Sequence, residues 1–190
     1  MIITFLGTTV KEYRKKYQIL LNQITPICTI CHGKCHSHCW YERKTRGPNP
    51  DTIKILRVKC VQCGSTHAIL PDFLFPKGRY SQTIREEVII ECETEGKTQE
   101  EVSQNQSVKT TWRWIKRYRE SIVTIKAALR SVLARLGNYE SEVTLTGSGL
   151  KQLKQICIEI EKTLGREIIA SGILGKVNIL LTWENTGVWI

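Results

Sequence analysis

Two pairs of cysteines share the spacing Cys-x-x-Cys, first at Cys28 and Cys31 and again at Cys60 and Cys63. Each such turn supplies two thiolates to a tetrahedral zinc ion, and two turns complete the four ligands of a structural site. The 28 residues between Cys31 and Cys60 exceed the common separation. An extended hairpin between the pairs would account for this length. The spacing therefore predicts one structural zinc ion bound by these four cysteines.

Further thiols and imidazoles near the two pairs leave the number of metal ions open. Cys35, His36, His38 and Cys39 follow the first pair, and His67 follows the second. These side chains could replace a cysteine ligand or form a second metal site, although polar loop residues and buried thiols are the more frequent case. A catalytic zinc needs an open coordination position and a neighbouring acid or base, and the nucleobase deaminase pattern is absent. The metal is therefore interpreted as structural.

A second candidate for function is a basic helix that Ser107 can cap. Its apolar side comprises Val108, Thr111, Trp112, Ile115, Tyr118 and Ile122. Its opposite side comprises Lys109, Thr110, Arg113, Lys116 and Arg117. A DNA recognition helix needs this division, because one side packs on the preceding helices and the other enters the major groove. Lys109, Thr110 and Arg113 are predicted to contact base edges, and Lys116 and Arg117 to neutralise phosphates. The alternative is a surface helix with a solvated basic face.

The hydropathy pattern divides the chain into five segments of an α+β protein. They are a strand and helix at 1–27, a zinc ribbon of β-hairpins at 28–70, a connector at 71–80, a helix-turn-helix domain at 81–136 and a C-terminal helical region at 137–190. Strands at 38–44 and 53–59 are expected to pair around a turn at 47–50. The C-terminal region is expected to contain an amphipathic helix over 150–164 and to end in a short strand within 177–190.

The predicted helix-turn-helix domain contains three helices. The first has a helical period from Ser81 and ends at Gly96. Thr98 and Glu101 match a capping box, which predicts a short second helix. The third is the basic helix, and residues 121–136 either continue it or form another. The turn before it lacks the glycine that is frequent there.

The charge of the chain indicates a polyanionic partner. Its net charge is +10, which favours binding to nucleic acid but does not determine a fold. Residues 1–67 hold eleven Lys and Arg against three Asp and Glu, and residues 107–136 hold eight against one. These two blocks coincide with the cysteine pairs and the basic helix, which solubility alone would not require. The predicted partner is double-stranded DNA.

No membrane partner is expected from the sequence. No segment is long enough to span a bilayer. The apolar start of the chain precedes its first basic residues, whereas a secretory signal has the reverse order. The sequence therefore predicts a cytoplasmic protein, in which cysteines are reduced and paired Cys-x-x-Cys turns favour metal over disulfides.

Two stretches resemble proteins of bacterial mobile elements. The run Cys-Val-Gln-Cys-Gly-Ser-Thr-His-Ala-Ile-Leu-Pro within residues 57–76, with 79–81 after it, resembles the zinc-binding N-terminal part of insertion-sequence transposases. Residues 110–118 are similar to transposase helices of the pattern Thr-x-x-Arg-Trp-x-x-x-Tyr/Phe. The resemblance covers about residues 26–120. It implies a zinc ribbon followed by a helix-turn-helix, in a protein associated with mobile elements. The predicted location is the bacterial cytoplasm, in association with the nucleoid. The sequence departs from the family in its extra Cys35 and Cys39, and in Thr111, where a branched apolar residue is usual.

The leading functional hypothesis is a non-catalytic DNA-binding accessory of a transposon that recruits a separate transposase subunit. Transposase chemistry needs two aspartates and a glutamate around two metal ions. This chain has only Asp51 and Asp72, and neither lies on a predicted core strand, so no enzyme activity is expected. The alternatives are a zinc-ribbon transcription regulator and a protein-interaction adaptor that uses Trp183, Val188 and Trp189 as anchors. Self-association is left open.

Overall fold

The computed structural model describes residues 1–47, 50–76, 78–138 and 145–184. Within these ranges the chain forms four strands and five helices, so the expected α+β class is confirmed. In chain order they are β1 (Ile2–Thr4), α1 (Val10–Gln23), β2 (Cys35–Lys44), β3 (Thr52–Cys60), β4 (Thr66–Pro71), α2 (Gln82–Thr94), α3 (Val108–Arg135), α4 (Gly149–Leu164) and α5 (Ile173–Glu184). The turn predicted at 47–50 lies partly outside the described residues.

The four strands form one sheet in the order β1-β4-β3-β2. β2 and β3 are antiparallel from Cys35 opposite Cys60 to Lys44 opposite Thr52, with a register shift near Ser37. This pair is the predicted hairpin, lengthened at both ends. β4 is antiparallel to β3, and β1 is parallel to β4. The N-terminal strand therefore belongs to the same sheet as the hairpin that carries the second cysteine pair.

Strand β3 lies in the interior of the sheet, between β4 and β2, and apolar residues are buried on both of its sides. Ile53 and Ile55 are buried on one side, and Leu56 and Val58 on the other. Helix α1 packs against the sheet, and the buried Tyr13 hydroxyl donates a hydrogen bond to the Lys54 carbonyl at 2.6 Å.

Helices α2 and α3 have the ends that the sequence predicts. The Ser81 hydroxyl accepts the Ile84 N–H at the start of α2, and Gly96 follows its end with a φ of +69°. α3 runs without a break for 28 residues, about 42 Å, and Gly137 follows it. Its second half is anchored in the helical core, where Ile125 is fully buried. None of the described helices is long and apolar enough to cross a membrane.

The strand predicted within 177–190 is wrong, because α5 is a helix as far as Glu184. Val177, Leu180 and Leu181 are all buried, and so is the polar Asn178 between them. A helix that is buried nearly all round shows no 3.6-residue period, so its apolar run cannot be told from a buried strand by pattern alone. Residues 185–190, with Trp189, lie outside the described part of the chain.

Two carboxylates from distant segments, the half-buried Glu86 and the buried Asp72, hold the start of α5. Glu86 of α2 accepts the Ile173 N–H at 3.1 Å and the Leu174 N–H at 2.9 Å. Asp72, in the turn after β4, accepts the Ser171 N–H. Burial raises the pKa of both carboxyls, and that of Asp72 reaches about 6. These bonds satisfy amides that a helix start otherwise leaves free. They join the C-terminal helix to the sheet and to α2.

Candidate metal centre and basic helix

The four paired cysteines converge at the end of the β2–β3 hairpin, as their spacing predicts. Their sulfur atoms all lie within 4.8 Å of one another. The Sγ atoms of Cys28 and Cys63 are 3.6 Å apart, and those of Cys31 and Cys60 are 3.4 Å apart. A tetrahedron with zinc–sulfur bonds of about 2.3 Å separates its sulfurs by about 3.8 Å. The cluster therefore has the size and ligand set for a metal ion such as zinc.

The two cysteine turns have the same backbone structure. In the first, the His32 N–H donates to the Cys28 carbonyl at 3.0 Å; in the second, the Gly64 N–H donates to the Cys60 carbonyl at 3.2 Å. His32 and Gly64 both have positive φ, +59° and +71°. The N–H of each first cysteine also donates to a carbonyl five residues later, at 2.8 and 2.9 Å. Because both turns close in this way, each directs its two thiols to the same point.

His67, a candidate replacement ligand in the sequence, instead contacts a cysteine of the cluster. Its Nε2 lies 3.2 Å from the Cys28 Sγ, and its Nδ1 lies 3.0 Å from the Met1 amino group. The side chain is only 4% exposed. Burial, followed by the charge of the amino group, lowers the pKa of His67 and favours the neutral ring. A neutral ring that accepts at Nδ1 donates at Nε2, so His67 is placed to stabilise the Cys28 thiolate.

Hydrogen bonds within the second turn stabilise the thiolate form of its cysteines. The Ser65 hydroxyl and N–H lower the pKa of Cys63 to about 6, and the Cys63 N–H lowers that of Cys60. The Gly33 N–H acts in the same direction on Cys31, but contacts with the neighbouring cysteines outweigh it and raise the pKa of Cys31 to about 12. Thiolates are the form that binds metal. The lowered pKa values therefore favour the metal-binding thiolate form of Cys60 and Cys63.

The additional thiols and imidazoles of β2 do not assemble into a second centre. Within the described ranges, the four cysteines form the only group of ligand-type side chains that lie close enough to share a metal ion. Cys35 pairs with Cys60 across the strands and is half-buried, and burial raises its pKa to about 11. His36, His38 and Cys39 are exposed along β2. The candidates for a second site are thus spread along a strand.

The buried side of the basic helix differs in part from the helical-wheel prediction. Thr111, Ile115 and Tyr118 are buried as predicted. Trp112 and Val108 were assigned to the same side but are 46% and 39% exposed. The buried residues are spaced four and then three residues apart along the helix. The buried stripe is therefore narrower than the helical wheel predicted. Residues at the edge of that stripe therefore face solvent.

The short helix predicted after Thr98 is a single helical turn. The predicted capping box is present, since Glu101 accepts the Thr98 N–H at 2.7 Å and the Thr98 hydroxyl accepts the Glu101 N–H at 3.4 Å. The Val102 N–H donates to the Thr98 carbonyl at 3.3 Å, and the helical pattern ends there. Residues 103–107 are rich in Ser, Asn and Gln, whose side chains compete for backbone hydrogen bonds.

Thr111 joins this turn to the start of α3. Its side chain is fully buried. Its hydroxyl lies 2.8 Å from the Ser103 hydroxyl and 3.2 Å from the Gln106 Nε2. Gln106 also donates to the Val102 carbonyl at 2.9 Å. The threonine therefore replaces apolar packing with a buried hydrogen-bond network, and this network holds the turn without a glycine.

The side chains predicted to contact DNA lie along the side of α3 that faces away from this network. They are Lys109, Thr110, Arg113, Lys116 and Arg117. Lys109 and Arg113 are exposed. Lys116 is exposed and lies 3.8 Å from Glu120. Thr110 and Arg117 are half-buried, and the Arg117 guanidinium lies 5.2 Å from the centre of the Phe75 ring.

A family model for a domain of unknown function, DUF6431, matches residues 28–114. The match extends from the first cysteine of the cluster to the second turn of α3. No curated protein and no solved structure shows a significant match to the chain. These comparisons assign no function and do not link the chain to insertion-sequence transposases, so that resemblance stays a prediction.

Proposed function

We propose that the protein binds duplex DNA sequence-specifically through a helix-turn-helix formed by α2, the turn at 98–103 and α3. One observation carries the proposal. The buried Thr111 network fixes the capped turn against the start of α3, and Lys109 and Arg113 are exposed on the opposite side. A recognition helix needs this combination, because its first turns must be held firmly while their outer side chains reach base edges.

The length and anchoring of α3 support this role. Its C-terminal half contributes Ile125, Leu129 and Leu133 to the core, whereas its N-terminal half carries most of the exposed basic residues. A continuous helix transmits the rigidity of the core to its N-terminal turns. Arg113 can form a bidentate contact with guanine, and Lys109 can reach a neighbouring base or phosphate.

The four-cysteine cluster is proposed to hold one structural zinc ion in a zinc ribbon. Four thiolates complete a tetrahedron and leave no position for a substrate, which is the arrangement of structural zinc sites. The cluster fastens the segment before β2 to the end of β3 and the turn that follows it. A hairpin end of this size buries little apolar surface, so metal binding supplies the missing stability.

The biological setting is proposed from the resemblance in residues 57–81 and 110–118. We favour a DNA-binding accessory of a mobile element that recruits a separate catalytic subunit, with a zinc-ribbon transcription regulator as the alternative. The adaptor hypothesis has less support, because α5 buries Leu174, Val177 and Leu180 in the protein's own core. The proposed anchors Trp183, Val188 and Trp189 all lie outside the described side chains.

Selection of bound sequences from a random duplex pool tests DNA recognition. The zinc-loaded protein is expected to enrich one short motif. Arg113→Ala is expected to relax the preference at one position, where the lost contact is worth about 1–3 kcal/mol. Arg130→Ala is the matched control, because Arg130 is exposed on the same helix about 25 Å away. A pool without enrichment, or equal motifs for wild type and Arg113→Ala, would contradict the proposed reading helix.

A further inference from the structure

We infer that the end of β3 next to the metal cluster, on the side of the hairpin that α1 does not cover, is a second contact surface for the DNA backbone, joined to α3 through the connector. The inference rests on the proposed DNA binding and extends it to a second element of the fold. It assigns phosphate contacts to Arg57 and Lys59 of β3, next to the metal cluster.

The two sides of the hairpin have different surroundings. Trp40 lies opposite Leu56, and the Tyr17 ring of α1 contacts Trp40 at 5.6 Å between ring centres. That side is therefore the one that α1 covers. Neighbouring residues of a strand point to opposite sides, so Tyr41 and Arg57 share the other side. The Arg57 guanidinium lies 5.0 Å from the centre of the Tyr41 ring, in agreement with this assignment.

The positive charges on this second side have no acidic neighbours in the hairpin. Arg57 and Lys59 are exposed and alternate along β3. The acidic residue of β2 is Glu42, which lies opposite Lys54 on the side covered by α1. Among the described residues neither Arg57 nor Lys59 forms an ion pair. Their charges are thus available to an external anion.

A chain of contacts connects this side of the hairpin to α3. Arg43 lies two residues beyond Tyr41 on the same side, and its guanidinium donates to the carbonyls of Phe75 and Gly78. The ring of Phe75 in turn contacts the Arg117 guanidinium of α3 at 5.2 Å. Arginines from the sheet and from the proposed recognition helix therefore meet at one residue of the connector.

Arg85 stabilises the contact between the connector and α3. Its side chain is 1% exposed and lies between two rings, 3.8 Å from the centre of Phe75 and 5.6 Å from the centre of Trp114. Phe75 belongs to the connector after the sheet, and Trp114 belongs to α3. The stacked guanidinium fixes the sheet and the helix relative to each other, so that one rigid partner can contact both.

The spacing of the charges fits a duplex. Side chains two residues apart on a strand are separated by about 6.8 Å. One DNA strand carries one phosphate for about every 3.4 Å along the helix axis, which is half the separation of the two side chains. Arg57 and Lys59 can therefore reach two phosphates of one strand that flanks the groove occupied by α3. The predicted occupant of the surface is the backbone beside the recognised site.

The test measures binding to a random-sequence duplex of about 30 base pairs by fluorescence anisotropy between about 50 and 200 mM salt. Each phosphate contact contributes about 0.9 to the slope of log affinity against log salt. Arg57→Ala with Lys59→Ala is expected to reduce the slope by about 1.8 and to weaken binding at about 150 mM salt at least tenfold. Lys15→Ala with Lys16→Ala is the matched control, because both lysines are exposed on α1. This control is expected to keep the wild-type slope.

Two further variants make the outcome decisive. Arg57→Gln with Lys59→Gln removes both charges but keeps long polar side chains. The zinc content and the circular dichroism spectrum of this variant verify that it is folded. Lys109→Ala with Arg113→Ala tests the helix separately. If the helix variant weakens binding while both sheet variants match the α1 control, the second surface is wrong and the proposed function stands. If wild-type protein binds no duplex, the proposed function fails and the inference fails with it.

Discussion

Replacement of Asp72 by asparagine tests how the C-terminal helix is joined to the rest of the protein. Asp72 is fully buried in the turn after β4, and its carboxylate accepts the Ser171 N–H just before α5. None of the described groups donates to its second oxygen. Burial of this partly satisfied carboxyl raises its pKa from 3.8 to about 6. The Asp72→Asn substitution keeps the shape of the side chain and removes the titration.

The pKa shift sets the sign and the size of the expected effect. Because the folded-state pKa is the higher one, the folded protein binds more protons than the unfolded chain between about pH 4 and pH 6. The Asp72 contribution to stability therefore rises as the pH falls through about 6 and is complete below 3.8. About two pKa units correspond to about 3 kcal/mol in total, of which about 1 kcal/mol is gained between pH 7 and pH 5.

The assay is urea unfolding of wild type and Asp72→Asn at pH 7 and pH 5, with zinc present. The difference in unfolding free energy between the two proteins should shift by about 1 kcal/mol in favour of wild type at pH 5. All other titrating groups, including the cysteines, are common to both proteins and cancel in this difference. A difference that does not change with pH would refute the buried position of Asp72 and its link to α5.

Three other predictions concern the metal cluster, the turn and the helix cap. Cys60→Ser is expected to abolish stoichiometric zinc binding and to lower the melting temperature, whereas the exposed Cys39→Ser should retain one zinc per chain by metal analysis. Thr111→Val should destabilise the protein by about 1–3 kcal/mol in chemical unfolding, because it leaves buried polar groups unpaired; equal loss in the exposed control Thr124→Val would contradict the network. Glu86→Gln should cost about 1 kcal/mol by weakening the cap of α5, and an unchanged unfolding free energy would show that the cap contributes nothing.

Local chemistry made several features predictable from the sequence. The Cys-x-x-Cys spacing places two thiols at one point regardless of the surrounding fold, and the structure brings the two pairs together. Capping residues work in the same way, so Ser107 and the Thr98 capping box cap the chain where they were predicted to, and the helical period that begins at Ser81 marks the start of α2. The hairpin of β2 and β3 was also predictable, because its two strands are close in sequence.

Features that depend on distant contacts were not predictable in the same way. The pairing of β1 with β4 joins Ile3 to Leu70, and no local pattern encodes that register. α5 packs against α2, α3, α4 and β1, so it is buried nearly all round and its apolar run shows no helical period. The burial of Thr111 was predicted, but its hydrogen bonds depend on two partners in the preceding turn that no local pattern identifies. The exposure of Trp112 likewise follows from tertiary packing.

DNA recognition by α3 is tested most directly by comparing two duplexes at physiological salt. One carries the motif selected by the zinc-loaded protein, and the other has the same base composition in shuffled order. The dissociation constant of the selected duplex is expected to be lower by about 10³ or more, as is usual for specific DNA-binding proteins. Equal dissociation constants for the two duplexes would contradict the claim that α3 reads DNA sequence.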